Sequence, residues 1–210
     1  MGNAIEALES KDASVRVRAA LAIGTHPDPG YVGRLIERCA VEPDFYVRET
    51  LTWALIRHPA DLTVPMLVEQ VRSDRSQARS QALHTLSKIG DRRAWPAITP
   101  ELLTSPDDEV ARTAWRAAVV LVPEGEEPEL LRILATQFGR GDRELQLSLS
   151  RALVALGETI IPALHARLTD PDLRIRQHAI ATQRLLRDPD AGFELAVNEA
   201  KRVDALGPGK

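Results

Sequence analysis

Residues 169–180 read TDPDLRIRQHAI, and residues 11–20 read KDASVRVRAA. Each stretch contains an aspartate and, four residues later, an arginine that follows a β-branched apolar residue. An aspartate at such a point can cap a helix, because its carboxylate accepts hydrogen bonds from the unpaired N–H groups of the first turn. The pattern therefore predicts a turn followed by a capped helix.

The pair of an apolar residue and arginine recurs along the chain at intervals of 31 to 33 residues, with one double interval. Its members are Val15-Arg16, Val47-Arg48, Ala78-Arg79, Ala111-Arg112 and Ile175-Arg176. The missing member falls at Leu145-Gln146. A period of roughly 30 to 47 residues that reads as paired helices is typical of an α-solenoid, in which each unit packs only on its neighbours.

The six units align on the residue four positions before the arginine or its substitute. These anchors are Asp12, Asp44, Arg75, Asp108, Asp142 and Asp172. Apolar residues recur three, seven, ten and eleven positions after the anchor, which predicts one buried helical stripe per unit. Trp115 breaks this stripe in the fourth unit, and anchoring that unit on Asp107 instead puts Val110 and Ala114 on the stripe. The sequence leaves both registers open.

The repeat predicts two helices per unit. The first helices are expected near 3–10, 30–41, 62–72, 93–104, 126–138 and 159–169, and the second helices near 13–24, 45–57, 76–89, 108–121, 143–156 and 173–186. A last helix near 190–204 would cap the array, and residues 206–210 read as a disordered tail. Residues 1–205 are thus expected to form a single domain.

Composition excludes several classes of protein. The formal net charge of −3 gives no general attraction to nucleic acid. Cys39 is the only cysteine, so no intrachain disulfide is possible. Met1 to Ser10 lack the pattern of a signal peptide, and no apolar stretch approaches the roughly 18 residues of a membrane span. We therefore expect a cytoplasmic protein without membrane segments.

The two quoted stretches resemble the HEAT repeat, particularly its short bacterial form that is also found in phycobilisome lyases. The resemblance covers nearly the whole chain as six units and implies an all-α fold: a right-handed α-solenoid of about six HEAT-like helical hairpins with a C-terminal capping helix. It also implies that the turn aspartate and the helix arginine link successive repeats. The residues that would do so are Asp12, Arg16, Asp44, Arg48, Arg79, Asp108, Arg112, Asp172 and Arg176. Gln146 departs from this pattern.

In the family that the chain resembles, the second helices line the concave face, so positions away from the buried stripe are candidates for a binding site. They form a polar cluster on units two to four: Glu49, Trp53, Arg57, His84, Lys88 and Arg116. An exposed tryptophan beside arginines is typical of interaction hot spots. Trp53 could equally fold into the groove between neighbouring second helices.

The repeat array without a catalytic constellation predicts a non-catalytic adaptor that binds a protein or peptide partner on its concave face. No metal ion and no cofactor are expected, because His26 and His58 lack neighbours that would complete a ligand set. One alternative is a small-ligand or chromophore-handling module like the phycobilin lyases. Another is a HEAT-like alkylpurine DNA glycosylase, which Trp53 and Trp115 suggest. The aspartates argue against a glycosylase, because apart from Asp204 they lie in predicted turns or at helix starts. The net charge argues against nucleic acid.

Overall fold

The structure is a computed structural model that describes residues 2–188. Over this range it contains α-helices and short 3₁₀ segments and no β-strand. The predicted last helix at 190–204 and the tail at 206–210 lie outside the described residues. The predicted fold class, an all-α solenoid of helical hairpins, is confirmed.

The chain divides into two compact units, residues 1–98 and 99–210. In the first unit, helices pack in three consecutive pairs, and the second helix of each pair also packs on that of the next. The helices are α1 (Gly2–Leu8), α2 (Ala13–Thr25), α3 (Val32–Cys39), α4 (Phe45–Ile56), α5 (Ala60–Val71) and α6 (Ser76–Ile89), with 3₁₀ segments at Pro29–Tyr31 and Arg92–Ala97.

The second unit repeats this arrangement. Its helices are α7 (Pro100–Leu103), α8 (Asp108–Leu121), α9 (Glu127–Leu134), α10 (Arg143–Ala155), α11 (Ile161–Leu168) and α12 (Leu173–Arg187), with 3₁₀ segments at Ala135–Gln137 and Gly157–Ile160. Here α8 packs on α10 and α10 on α12. The expectation of one domain over residues 1–205 stays a prediction.

All six second helices lie within one residue of their predicted bounds. Four of the predicted aspartates cap them: the side chains of Asp12, Asp44, Asp142 and Asp172 each accept a backbone N–H of the first turn. Arg75, at the start of α6, makes no side-chain cap. The second helices were predictable because each has a buried stripe, which in most of them coincides with a cap.

The first helix expected at 93–104 is wrong as a continuous helix. It is a 3₁₀ segment that contains Pro96, followed by the four-residue α7 that begins at Pro100. Proline removes a backbone donor and disfavours helical geometry in the residue before it, here Trp95 and Thr99. Two prolines four residues apart therefore prevent a regular helix in this segment.

The register of the fourth hairpin follows the alternative anchor. Asp107 caps α8 by accepting the N–H groups of Glu109 and Val110, at 3.0 and 3.2 Å. Asp108, the other anchor, is the first residue of α8, and its exposed carboxylate accepts hydrogen bonds from Arg140, which precedes α10. In the corrected register Trp115 lies one position beyond Ala114 and is fully buried with it.

Three of the repeating arginines share one geometry, which we call the turn clamp. Nη1 of each donates to the carbonyl oxygens six and five residues earlier: Arg16 to Ser10 and Lys11, Arg48 to Glu42 and Pro43, and Arg176 to Asp170 and Pro171, at 2.7–3.1 Å. These bonds close the turn within one hairpin. The predicted role of the repeating arginines in linking successive repeats stays a prediction.

The other two predicted arginines are not seen to form the turn clamp. Arg79 lies 3.5 Å from the hydroxyl of Ser76, in its own helix. Arg112 pairs with Glu109, three residues earlier in α8. The register shift accounts for Arg112, because Ala111 occupies the clamp position when the hairpin is anchored on Asp107.

Glu42 links the first two hairpins. Its carboxylate has no exposed surface and accepts Nε and Nη2 of Arg16 at 2.8 and 2.7 Å, Nε of Arg38 at 2.8 Å and the N–H of Asp44 at 2.9 Å. Burial opposes its ionisation, but these hydrogen bonds outweigh burial and lower the pKa of Glu42. Arg16 thus does join successive hairpins, through Glu42 and not through an aspartate of the repeat.

Candidate partner-binding surface

The exposed stripe of α4 carries three of the predicted site residues and a tyrosine. Tyr46, Glu49, Trp53 and Arg57 follow one another at three- or four-residue spacing, so they share one face of the helix. Tyr46 is 75 % exposed and Trp53 is 36 % exposed. The stripe therefore presents two large aromatic side chains to solvent, with a guanidinium at its end.

Trp53 combines the two arrangements that the sequence left open. Its ring lies against Gly24 of α2, where an added Cβ would come within 2.3 Å of Cζ3 of the indole. The residue as a whole is still 36 % exposed. Leu21 occupies the same repeat position on α2 and is 44 % exposed. Trp53 is thus anchored in the groove between the second helices and remains available for contact.

The stripe continues onto α6. Nε2 of His84 lies 3.2 Å from Oε1 of Glu49, so the two helices present adjoining faces. Lys88 follows His84 by four residues and is exposed in the last turn of α6. Five of the six predicted residues therefore lie on the adjoining faces of α4 and α6, which we call the α4–α6 surface.

Arg116, the sixth predicted residue, belongs to the second unit. It lies on α8 with an exposed side chain, and its Nε donates to the hydroxyl of Ser148 at 3.2 Å. Partial burial, followed by the positive charge of Arg112, lowers the pKa of its guanidinium, which still carries its charge at neutral pH. The role of these six residues in partner binding stays a prediction.

Tyr46 and Phe45 are members of the surface that the sequence-based selection omitted. Their rings meet edge to face with centroids 5.6 Å apart, and the guanidinium of Arg48 lies 5.9 Å from the centre of the Phe45 ring. The signal for Tyr46 was present, because it precedes Trp53 by seven residues and thus lies on the same predicted stripe. Tyr46 does not occupy either of the repeat positions that Glu49 and Trp53 represent, so the repeat pattern did not include it.

Trp115 does not belong to any exposed surface. Its side chain is fully buried in the second unit, and its Nε1–H donates to the carbonyl of Leu103 at 2.8 Å. The indole therefore cannot stack on a nucleobase. This removes one of the two tryptophans that suggested a DNA glycosylase.

The side chains of Ser150 and His178 are in contact, with 3.0 Å between Oγ and Nε2. Nδ1 of His178 accepts the N–H of Gly139, so the ring proton resides on Nε2, which also lies 3.0 Å from the carbonyl of Gln146. A ring protonated at Nε2 cannot accept a proton from Ser150. Both side chains are buried, so this pair is a structural link between α10 and α12.

The thiol of Cys39 is buried, and burial raises its pKa to about 12. Such a thiol is protonated at neutral pH and is a poor nucleophile. Within residues 2–188, no group of three or more His, Cys, Asp or Glu side chains is arranged to hold a metal ion. No helix in the same range is long and apolar enough to cross a membrane.

Comparison with known families agrees with the hairpin architecture. A family model for HEAT repeats matches residues 34–119, a range that begins within α3 and stops within α8. No curated protein matches the chain. The paired helices, the aspartate caps and this match lead to one conclusion: over residues 34–119 the chain is similar to the HEAT-repeat proteins.

Proposed function

We propose that this protein is a non-catalytic adaptor that binds a protein or peptide partner through the α4–α6 surface. HEAT repeats generally serve as scaffolds for protein interactions. The observation that carries the proposal is the exposed stripe of α4, on which Tyr46 and Trp53 stand beside Arg57. Tyrosine, tryptophan and arginine are the residues most enriched in binding hot spots.

The rigidity of this surface favours binding. Its side chains stand on two packed helices, and the indole of Trp53 is held against Gly24. Side chains that are already ordered lose less conformational entropy when a partner binds.

The test uses substitutions that leave the core intact. Tyr46→Ser and Arg57→Glu alter exposed side chains of the surface, whereas Trp53 is left unchanged because its removal would open a gap beside Gly24. Affinity capture from the native host, quantified by mass spectrometry, should show the same partner reduced about tenfold or more by each variant.

Arg72→Glu is the matched control for Arg57→Glu. Both arginines follow the last residue of a helix and are exposed, but Arg72 ends α5, a first helix. The control should bind the partner as the wild type does. The proposal would be contradicted if both surface variants captured the partner as well as the wild type does. It would also be contradicted if Arg72→Glu reduced capture as much as the surface variants do.

A further inference from the structure

Arg116 and Arg151 lie exposed on neighbouring helices of the second unit. Nε of Arg116 donates to the hydroxyl of Ser148 at 3.2 Å, and Arg151 follows Ser148 by three residues on the same face of α10. Both arginines occupy the ninth position after the aspartate that caps their helix, Asp107 or Asp142. The packing of α8 on α10 therefore brings the two positive charges to one surface.

The carboxylates of these helices lie away from the two arginines. The acidic residues of α8 and α10 are confined to the first turn, and α12 contains none. Glu109 and Glu144 each precede the arginine of their helix by seven residues, a rise of roughly 10 Å along the helix axis. Glu109 is also paired with Arg112. Within the described part of the chain, neither Arg116 nor Arg151 forms an ion pair.

The positive charges of this surface are close enough to act on one another. Partial burial lowers the pKa of the Arg116 guanidinium, and the charges of Arg112 and Arg151 lower it further, whereas Glu109 raises it. The guanidinium still carries its charge at neutral pH. A negatively charged group bound between α8 and α10 would offset both the partial burial of this charge and the repulsion between the arginines.

The surroundings of the two arginines favour an acidic polypeptide over nucleic acid. Val120 follows Arg116 by four residues on the same face of α8 and is 45 % exposed, so an apolar contact lies beside the charges. Trp115 and Phe138, the aromatic residues that the structure describes in the second unit, are buried and cannot stack on bases. The formal net charge of −3 also opposes binding of a phosphate backbone.

We propose that Arg116 and Arg151 form a docking site for an acidic segment of a partner polypeptide, whose carboxylates bind the two guanidinium groups while an apolar side chain contacts Val120. A guanidinium presents paired N–H donors that match a carboxylate. The bond to Ser148 uses Nε of Arg116 and leaves its two terminal nitrogens for this contact. The site lies in the second unit and does not depend on binding at the α4–α6 surface.

The experiment titrates the full chain into a fluorescein-labelled peptide that is rich in glutamate and contains one leucine, and follows the fluorescence anisotropy. Saturable binding that weakens with added salt is expected, because salt screens exposed charges. The same peptide with glutamine in place of glutamate should not bind, and labelled single-stranded DNA of equal charge should bind more weakly. The proposal would be overturned if the glutamate peptide did not bind saturably, if the glutamine peptide bound equally well, or if the DNA bound more tightly.

Two substitutions locate the site on the molecule. Arg116→Gln and Arg151→Gln should each weaken binding of the glutamate peptide about tenfold, because each removes charge-assisted hydrogen bonds. Arg112 is left unchanged, since its removal would release Glu109 from its ion pair beside the site. Arg18→Gln removes the same charge from an exposed position on α2 of the first unit and should leave binding unchanged. Wild-type affinity in both site variants, or an equal loss in Arg18→Gln, would overturn the assignment.

Discussion

At the scale of single residues, the contact between α2 and α4 depends on the absence of one methyl group. A Cβ on Gly24 would lie 2.3 Å from Cζ3 of Trp53 and 2.9 Å from the backbone Cα of Ala54. The indole could move aside, but the backbone of a packed helix cannot do so cheaply. Glycine is disfavoured inside helices, so close approach of α4 is the reason for it here.

Gly24→Ala should therefore destabilise the protein by about 1–2 kcal/mol, because overpacking outweighs the gain in helix propensity. Gly33→Ala is the control, since a Cβ there meets only Cε of Met66 at an ordinary 3.5 Å. That variant should be stabilised by up to about 1 kcal/mol. Urea denaturation of both variants measures the difference, and stabilisation by Gly24→Ala would disprove the packing argument.

A second prediction at this scale concerns the buried ring of His178. Burial lowers its pKa from 6.5 to about 4, so the folded protein holds the ring neutral. Between these values the unfolded chain binds the proton more readily, and stability therefore rises with pH. The contribution is complete above pH 6.5 and is lost as the pH falls to 4, with a total on the order of 3 kcal/mol.

The free energy of unfolding, measured across this pH range, should fall less steeply in His178→Asn than in the wild type. His165→Asn changes an exposed histidine on α11 and should keep the wild-type slope. If His178→Asn keeps that slope as well, the buried ring does not account for the acid sensitivity.

At the scale of helices, each hairpin has a second helix, and among these α6 is the one without a side-chain cap. Aspartates cap α2, α4, α8, α10 and α12, whereas Arg75 stands at this position in α6 with extended backbone angles that would suit a cap. The adjacent Asp74 does not replace it. The first-turn N–H groups of α6 are thus without a side-chain acceptor at the cap position.

Arg75→Asp should stabilise the protein by about 1 kcal/mol, because the new carboxylate accepts a first-turn N–H group and complements the helix dipole. Arg75→Ala removes the arginine without adding a cap and should change stability by less than about 0.5 kcal/mol. Thermal or chemical denaturation compares the two variants, and equal stabilities would show that the cap is ineffective here.

The success of prediction also differs between helices for physical reasons. Second helices were predictable because their stripe and length, and in five of them the cap, are local in sequence. The break at Pro96 and Pro100 is local too, but the repeat pattern suggested a continuous helix there. The burial of Glu42 could not be predicted, since its partner Arg16 is 26 residues away. The exposure of Trp53 depends in the same way on Gly24 of a neighbouring helix.

At the scale of the whole molecule, the first unit contains three complete hairpins, which together bury a continuous core. Repeat arrays need roughly three units before stacking offsets the entropy of the ordered chain. Residues 1–98 therefore meet the minimum for independent folding.

A fragment of residues 1–98 should be helical by circular dichroism and unfold cooperatively in urea. A fragment of residues 1–58, which contains two hairpins and lacks α6, should show weak helicity and no cooperative transition. A non-cooperative 1–98 fragment would mean that the first unit requires the remainder of the chain and would favour the prediction of one domain over residues 1–205.

The turn clamp has a consequence for how this chain tolerates changes in length. A guanidinium that binds the carbonyls six and five residues before it fixes the number of residues in the turn. An added residue in the turns before α2, α4 or α12 would pull one carbonyl out of reach of Arg16, Arg48 or Arg176. The turn before α6 is not seen to have such a clamp, and Arg75 at its end makes no side-chain cap. Tags, loops and inserted modules should therefore be accommodated best at that turn.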